Sequence, residues 1–371
     1  VAQNRRMRID KLQLHQFRSY RDAFLQLPDG ITVLSGANAQ GKTNLLEGVF
    51  LCCAGKSHRA AVERDLVMWD CPQALVRASI TRRDGQHAID MALLDSGRKR
   101  IRFDGAPVGS MSAFVGQLSG VLFSPENVRL IKEGPRLRRQ YMDVALSQVY
   151  RGYLAALQQY NRALLQRNNL LKSLASQPAL AETLPVWDAQ LAEAGAQVMA
   201  HRDAFCSAIA PVAARIHAAV SGGREHLQLT YEPSVAGAGG ARAALLAALA
   251  RAHVLDRRRC STSVGPHRDD IRLVIDGVDA RAFASQGQQR TAALALKMAE
   301  LDWMQAETGE RPVLLLDDVF SELDAARRAK LLDVVQGGQT IITCTEAEAL
   351  PLPRARIAAH FVVADGTVTP A

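Results

Sequence analysis

Aromatic side chains are scarce in this chain: Phe, Trp and Tyr together make up 5% of its 371 residues. That argues against a surface built to stack the bases of a single strand, which needs rows of exposed rings. Cysteine is equally sparing. Cys52, Cys53, Cys71, Cys206, Cys260 and Cys344 include no CxxC pair, so neither a zinc ribbon nor a disulfide framework is suggested, and a reducing compartment fits. No uninterrupted apolar run approaches the ~18 residues needed to cross a bilayer. The arginine-bearing start, Val1 to Arg8, leads into an amphipathic strand pattern and not into a signal-peptide core. A soluble, cytoplasmic protein with no membrane partner is the expectation. The chain shows no internal repeat and no low-complexity tract.

What is present is a sizeable core with a basic bias. Hydrophobic residues make up 48%, which excludes disorder as the dominant state. The length corresponds to two or three domains at roughly 100–200 residues each. Lys and Arg (45) exceed Asp and Glu (37), giving a formal charge of +8 that mildly favours an anionic partner such as nucleic acid.

Periodicity divides the chain into three parts. Ile9, Leu12, Leu14 and Phe17 read as a strand, Ile31–Ser35 as a buried strand ending in glycine, and Asn44–Cys53 as a helix. Between 74 and 105, alternating patches joined by Asp84-Gly85 and Ser96-Gly97 predict antiparallel hairpins. In the middle, Leu157, Tyr160, Leu164, Leu171 and Leu174 keep one heptad frame, broken at Arg167. Trp187, Leu191, Ala194, Val198, Phe205, Ala208 and Val212 keep another, broken at His201. These predict a helical hairpin with a coiled-coil-like seam, either a compact subdomain or a projecting arm of about 40 Å. Gly222-Gly223 and the stretch Gly237–Gly240 read as loops returning to the main domain.

The chemistry starts at Gly36-Ala37-Asn38-Ala39-Gln40-Gly41-Lys42-Thr43, a GxxxxGKS/T pattern between a buried strand and a helix. Its glycines let backbone N–H groups point at phosphate oxygens, and the helix N-terminus adds a positive dipole. Lys42 is expected to reach the β/γ-phosphates and Thr43 to ligate Mg²⁺. Far downstream, Val313-Leu314-Leu315-Leu316-Asp317-Asp318 is an apolar strand ending in two acids, the shape of a Walker B segment. Asp317 is expected to hold Mg²⁺ and Asp318 to orient the attacking water. So wide a separation requires a large insertion within a nucleotide-binding fold, and the helical region fits that role.

Ser285-Gln286-Gly287-Gln288 precedes a clear helix and resembles the signature motif of ABC-type ATPases. The likeness implies that Ser285, Gly287 and Gln288 address the γ-phosphate on a second subunit, so that ATP is sandwiched in a dimer. Taken alone, the segment also fits a plain Ser/Gln helix cap. Ser321-Glu322-Leu323-Asp324 after the Walker B acids resembles a D-loop, with Ser321 and Asp324 facing the partner.

Together with Phe17-Arg18-Ser19-Tyr20, Lys56-Ser57-His58-Arg59, Val121–Asn127, Gly265-Pro266-His267-Arg268-Asp269-Asp270 and Leu314–Asp324, these motifs resemble the RecF family of bacterial recombination and repair ATPases, which is related to the SMC proteins. The resemblance implies an α/β, ABC-type P-loop ATPase head, with a mixed sheet, an antiparallel subdomain and an inserted helical arm. The expected division is 1–125 (head, Walker A), 126–254 (mainly helical arm) and 255–371 (head, signature, Walker B and D-loop). It further implies an ATP-dependent homodimer that binds DNA at gaps or stalled forks and helps RecA load, with RecO and RecR as partners. Two departures from general ABC practice, Asp318 in place of Glu and Thr343-Cys344-Thr345 where many members carry a histidine, predict weak, slow ATP hydrolysis acting as a switch. An ABC transporter-type subunit and a structural DNA clamp without turnover are the rival readings.

Three weaker signals remain. Gly265–Asp270 is read as a capping loop, a nucleotide-linked loop or a poor metal set. Lys56, His58 and Arg59 either sense nucleotide or face solvent. Arg82-Arg83, Arg98-Lys99-Arg100 with Arg102, Arg136 with Arg138-Arg139, and Arg257-Arg258-Arg259 are candidates for sequence-independent phosphate contacts, with the steep salt dependence such contacts bring.

Overall fold

Ile9, Leu12, Leu14 and Phe17 do not alternate strictly, yet all four are buried along β1 (Arg8–Phe17). A register shift between Ile9 and Lys11 and a left-handed Gln16 (φ 50) each sit where the spacing breaks, so one face of the strand stays inward. The computed structural model describes residues 7–60, 62–237, 240–335, 337–347 and 350–371. The expectations for Val1–Arg6 and for Ala238 and Gly239 in the glycine loop lie outside the described residues.

β1 turns back into β2 (Tyr20–Gln26), and β3 (Ile31–Ser35), buried throughout, runs into the P-loop and α1 (Lys42–Ala54). The predicted hairpins follow as β4 (Gln73–Arg82), β5 (Gly85–Leu94) and β6 (Lys99–Phe103), with a short β7 (Ala106–Pro107). They close a six-stranded antiparallel sheet in the order β2-β1-β4-β5-β6-β7. α2 (Met111–Phe114) leads to β8 (Gly120–Phe123).

The helical region holds α3 (Arg129–Lys132), α4 (Pro135–Val149), α5 (Arg151–Ser173), α6 (Leu184–Ser221), the strand β9 (Leu227–Glu232) and α7 (Ala241–Arg259). The chain then forms β10 (Asp270–Ile275), β11 (Val278–Asp279), α8 (Ala280–Phe283) and α9 (Gln286–Thr308). It ends with β12 (Val313–Asp317), α10 (Ala325–Val335), β13 (Thr340–Cys344), β14 (Ile357–Ala364) and β15 (Thr367–Pro370). A second six-stranded sheet has the order β15-β14-β3-β13-β12-β8, and β9, β10 and β11 make a third. All pairings of the second sheet are parallel except β14 with β15, and those of the third are antiparallel.

Each central strand feeds two cores. Val313 and Leu315 join Leu45, Leu46 and the antiparallel sheet, whereas Leu314 and Leu316 join Phe205, Ile209, Leu301 and Trp303. That is the period-2 alternation of a strand covered on both faces.

The helical insertion differs from the predicted hairpin in two ways. α7 packs as a third helix, supplying Ala244, Leu245, Ala248 and Leu249 to a cluster with Tyr160, Ala163, Leu191 and Ala194. The heptad frame of the second helix also fails beyond Phe205: Ala208 is exposed and Val212 only half-buried, while Ile209, Ala213 and Ile216 face inward. There α6 has left α5 and lies in the core shared with α9, and a straight helix drifts away from a 3.5-residue frame. The helical stretch Pro178–Ser221, which contains α6, is also long and apolar enough by composition to cross a membrane, although it lacks an uninterrupted apolar run. It buries Asp188, Arg202 and His217 together with its apolar face in the protein interior.

Candidate functional site

The sheet order brings the motifs together. Strand β13 separates β3 from β12, so the P-loop leaves one parallel strand and the two acids end another, on the same edge of the sheet. Gly36 has φ 151, and a Cβ there would lie 2.2 Å from the Val363 carbonyl oxygen of β14. Gly41 has φ 109, and its Cβ would meet Ser19 Oγ and Tyr20 Oη at 2.8 Å. Both positions therefore need glycine. Ala37, Asn38 and Ala39 form the exposed rim, and Gln40 Oε1 accepts from the Asp365 amide at 2.5 Å, tying the loop to the β14–β15 turn.

Lys42 is buried with its ammonium donating to the Gly36 and Ala37 carbonyl oxygens, the latter at 2.8 Å. Burial pulls its pKa below the ordinary lysine range, while the charges of Asp318, Cys344 and Asp317 oppose that pull. Thr43 Oγ1 donates to Asp317 Oδ1 at 2.9 Å, and Thr343 Oγ1 donates to the same oxygen at 2.8 Å. Burial raises the Asp317 pKa despite those two bonds. The Asp318 amide donates to Thr343 Oγ1 at 2.9 Å, and Asp318 itself is left-handed (φ 50). Non-glycine residues hold that conformation only at a cost. A curled loop at a helix N-terminus, a buried ammonium, and a hydroxyl–carboxylate pair suit a nucleotide's phosphates with Mg²⁺: Lys42 would meet the phosphate, and Thr43 and Asp317 the ion.

Ser285 caps α9, accepting from the Gln288 amide at 3.2 Å, while Gln288 Oε1 accepts from the Ser285 amide at 2.8 Å. Gln288 thus has its side-chain carbonyl committed to a capping box. The Ser285 hydroxyl keeps its own proton to donate. This helix start is exposed and, among the described residues, makes no hydrogen bond to the P-loop of its own chain. In the D-loop segment, Ser321 Oγ donates to the Asp318 carbonyl at 2.7 Å, and Asp324 Oδ1 accepts from the Arg327 amide at 3.0 Å.

This arrangement has close relatives. A family profile described as the RecF/RecN/SMC N terminal domain matches residues 8–363. Proteins described as DNA replication and repair protein RecF match nearly end to end. The one from Lachnoclostridium phytofermentans is 41% identical, covering 98% of this chain and 99% of the relative. The one from Symbiobacterium thermophilum is 44% identical over 93% of both. The chain belongs to the RecF family. A solved structure of the recombination mediator protein RecF with ATP, of the RecFOR pathway, is 34% identical with a TM-score of 0.92, covering 99% of this chain and 98% of that one. A Smc head domain from Pyrococcus furiosus, at 17% identity and TM-score 0.56 over 98% of this chain and 96% of that one, shares the ABC-type head fold.

Within this RecF-family chain, sequence reasoning missed Glu47. One helical turn past Thr43, it is fully buried and accepts from Arg18 Nε (2.8 Å) and Nη2 (2.9 Å) and from Ser57 Oγ. It ties the β1–β2 tip and the Lys56–Arg59 loop to the P-loop helix. Arg59 donates to Asn44 Oδ1 at 3.1 Å on that same helix. His58 is driven down to a pKa of about 4, chiefly by burial. A buried polar partner of this kind leaves no period in the sequence.

Gly265–Asp270 is a structural junction. Asp269 accepts from Tyr231 Oη and the Ser234 amide, Asp270 pairs with Arg138 at 2.7 Å, and His267 Nδ1 meets Tyr160 Oη at 2.6 Å. No cluster of three or more His, Cys, Asp or Glu side chains placed to hold a metal occurs among the described residues, in this loop or elsewhere. The same contacts correct the basic clusters: Arg138 is buried against Asp270, and Lys99 pairs with Glu63, so neither is free to meet a phosphate. Arg98, Arg100, Arg102, Arg136 and Arg257–Arg259 are exposed.

Proposed function

We propose that this chain is an ATP-dependent, DNA-binding repair protein that dimerises around ATP. The carrying observation is the capped start of α9: Ser285 is exposed and Gly287 half-buried at a helix N-terminus, and among the described residues neither makes a hydrogen bond to its own P-loop. A second copy supplies the phosphate they would bind. Lys42 and the Gly36–Thr43 amides hold the triphosphate, Thr43 and Asp317 hold Mg²⁺, and Asp318 orients the water. Ser321 and Asp324 border the partner.

Hydrolysis in this reading is slow and ends the dimer's residence on DNA. The short Asp318 side chain and the hydroxyl of Thr343, committed to Asp317 and the Asp318 amide, support that. The exposed arginines supply backbone contacts without base reading. The names of the relatives support a place in replication and repair, and the RecFOR pathway of a solved relative supports RecO and RecR as partners; RecA and gapped DNA are what the family resemblance implies.

Light scattering with and without ATP, before and after adding DNA, tests the reading. The wild type should dimerise on ATP, Lys42→Arg should stay monomeric, and Asp318→Asn should remain a dimer on DNA. A wild type that ignores ATP, or variants that leave DNA residence unchanged, would refute it; the second result favours a clamp without turnover.

A further inference from the structure

Arg327, in the first turn of α10, touches neither the P-loop nor the Walker B acids among the described contacts, yet it is one of the most fully engaged side chains near them. Its side chain is 17% exposed. Nε and Nη2 donate to Thr291 Oγ1 at 2.9 and 2.6 Å, and Nη2 also donates to the Gly287 carbonyl at 2.7 Å. Nη1 donates to Asp324 Oδ2. Thr291 Oγ1 donates in turn to the Gly287 carbonyl at 3.0 Å. One planar fork therefore joins the first turn of α9 to the loop that follows β12.

The two ends of this brace are the signature glycine and the D-loop aspartate of the proposed ATP sandwich. Gly287 and Asp324 are remote in sequence and sit on different elements, so their separation is not fixed by local backbone geometry. The Arg327 side chain fixes it directly. Only a guanidinium spans such a set of acceptors, because its N–H donors lie rigidly in one plane; a lysine offers a single point of charge.

We propose that Arg327 is a positioning residue that locks signature and D-loop into one rigid unit, so that the nucleotide of a second copy of this chain meets both together. The proposal rests on the ATP-sandwich reading. It gives Arg327 no contact with its own subunit's nucleotide, so its loss acts on dimer formation and turnover and spares nucleotide binding by the monomer.

The experiment compares wild type, Arg327→Met and Arg327→Lys in the full chain. Thermal unfolding, ATP affinity of the monomer, the ATP-dependent dimer and steady-state hydrolysis are all measured. Both variants should stay folded, with a melting temperature lowered only modestly by the lost hydrogen bonds, and should keep the wild-type monomer affinity. Their ATP-dependent dimers should weaken about tenfold or more, and kcat should fall by about ten- to a hundredfold with KM unchanged, up to the scale of a reacting group misplaced by about 1 Å. Arg327→Lys should not rescue, since charge without the fork leaves Gly287 and Thr291 unbraced. Dimerisation and turnover at wild-type level in Arg327→Met, or full rescue by Arg327→Lys, would overturn the proposal. Parallel loss of melting temperature and monomer affinity would also overturn it, by making Arg327 merely structural. A wild type that stays monomeric with ATP would refute the sandwich reading itself and this proposal with it.

Discussion

Replacing Glu47 by Gln probes how the P-loop helix is held to the loops around it. The Glu47 carboxylate is fully buried and makes a bidentate pair with Arg18 at 2.8 and 2.9 Å, with Arg59 Nη2 3.8 Å away. Hydrogen bonds to charged groups contribute about 1.5–3 kcal/mol each, and breaking a buried ion pair from one side costs about 3–5 kcal/mol. Gln keeps the shape and one acceptor, so a loss of about 3 kcal/mol is expected at neutral pH. The pH dependence is the sharper test. Burial would raise the Glu47 pKa, but the Arg18 and Ser57 hydrogen bonds and the charges of Arg18 and Arg59 outweigh it and hold the group below its ordinary 4.5. The stabilisation is therefore fully present above that value and is lost as the pH falls towards the depressed folded-state pKa. Urea midpoints of wild type and Glu47→Gln, measured from neutral pH downward, should converge below pH 4.5. A gap that stays constant with pH, or one under about 1 kcal/mol at neutrality, would refute the electrostatic account.

Two further perturbations test the arm and the P-loop. Arg167 is fully buried and donates to Asp188 and Asp256, each at 2.7 Å. Arg167→Met should cost about 3–5 kcal/mol in urea unfolding because it takes the guanidinium from two buried carboxylates, leaving Asp188 with His253 and Asp256 with the Ser263 amide, and adding Asp188→Asn with Asp256→Asn should recover part of that loss. A single variant as stable as wild type would contradict it. Gly36→Ala places a Cβ 2.2 Å from the Val363 carbonyl oxygen at a φ of 151, so calorimetric titration should detect no ATP binding at concentrations that saturate wild type. Retained affinity would show that the β14–β15 hairpin gives way.

The contrast between Arg167 and Glu47 shows which interactions a sequence exposes. The P-loop, the Walker B strand and the hairpins at Asp84-Gly85 and Ser96-Gly97 were legible because their determinants are contiguous: glycine supplies the turn, alternation supplies the face, and a strand end supplies the acid. Arg167 was visible only as a break in a heptad. A polar residue at a core position means either a local failure of packing or a buried ion pair, and one strand of sequence cannot choose. The choice was made by Asp256 on α7, a helix outside the frame that flagged the break. The phase error beyond Phe205 has the same origin, since α6 changes neighbours from α5 to α9 and only the fold says where. Glu47 carried no signal at all, because an acid among the apolar residues of a P-loop helix has no partner until Arg18 and Ser57 fold against it. Motifs that touch ligands through backbone and helix dipoles are therefore readable early. The residues that tie such segments together, Glu47 bonded to Arg18 and Ser57 beneath the P-loop and Arg327 bonded to Gly287 and Asp324, do so through side-chain contacts between elements and emerge only when the chain is closed.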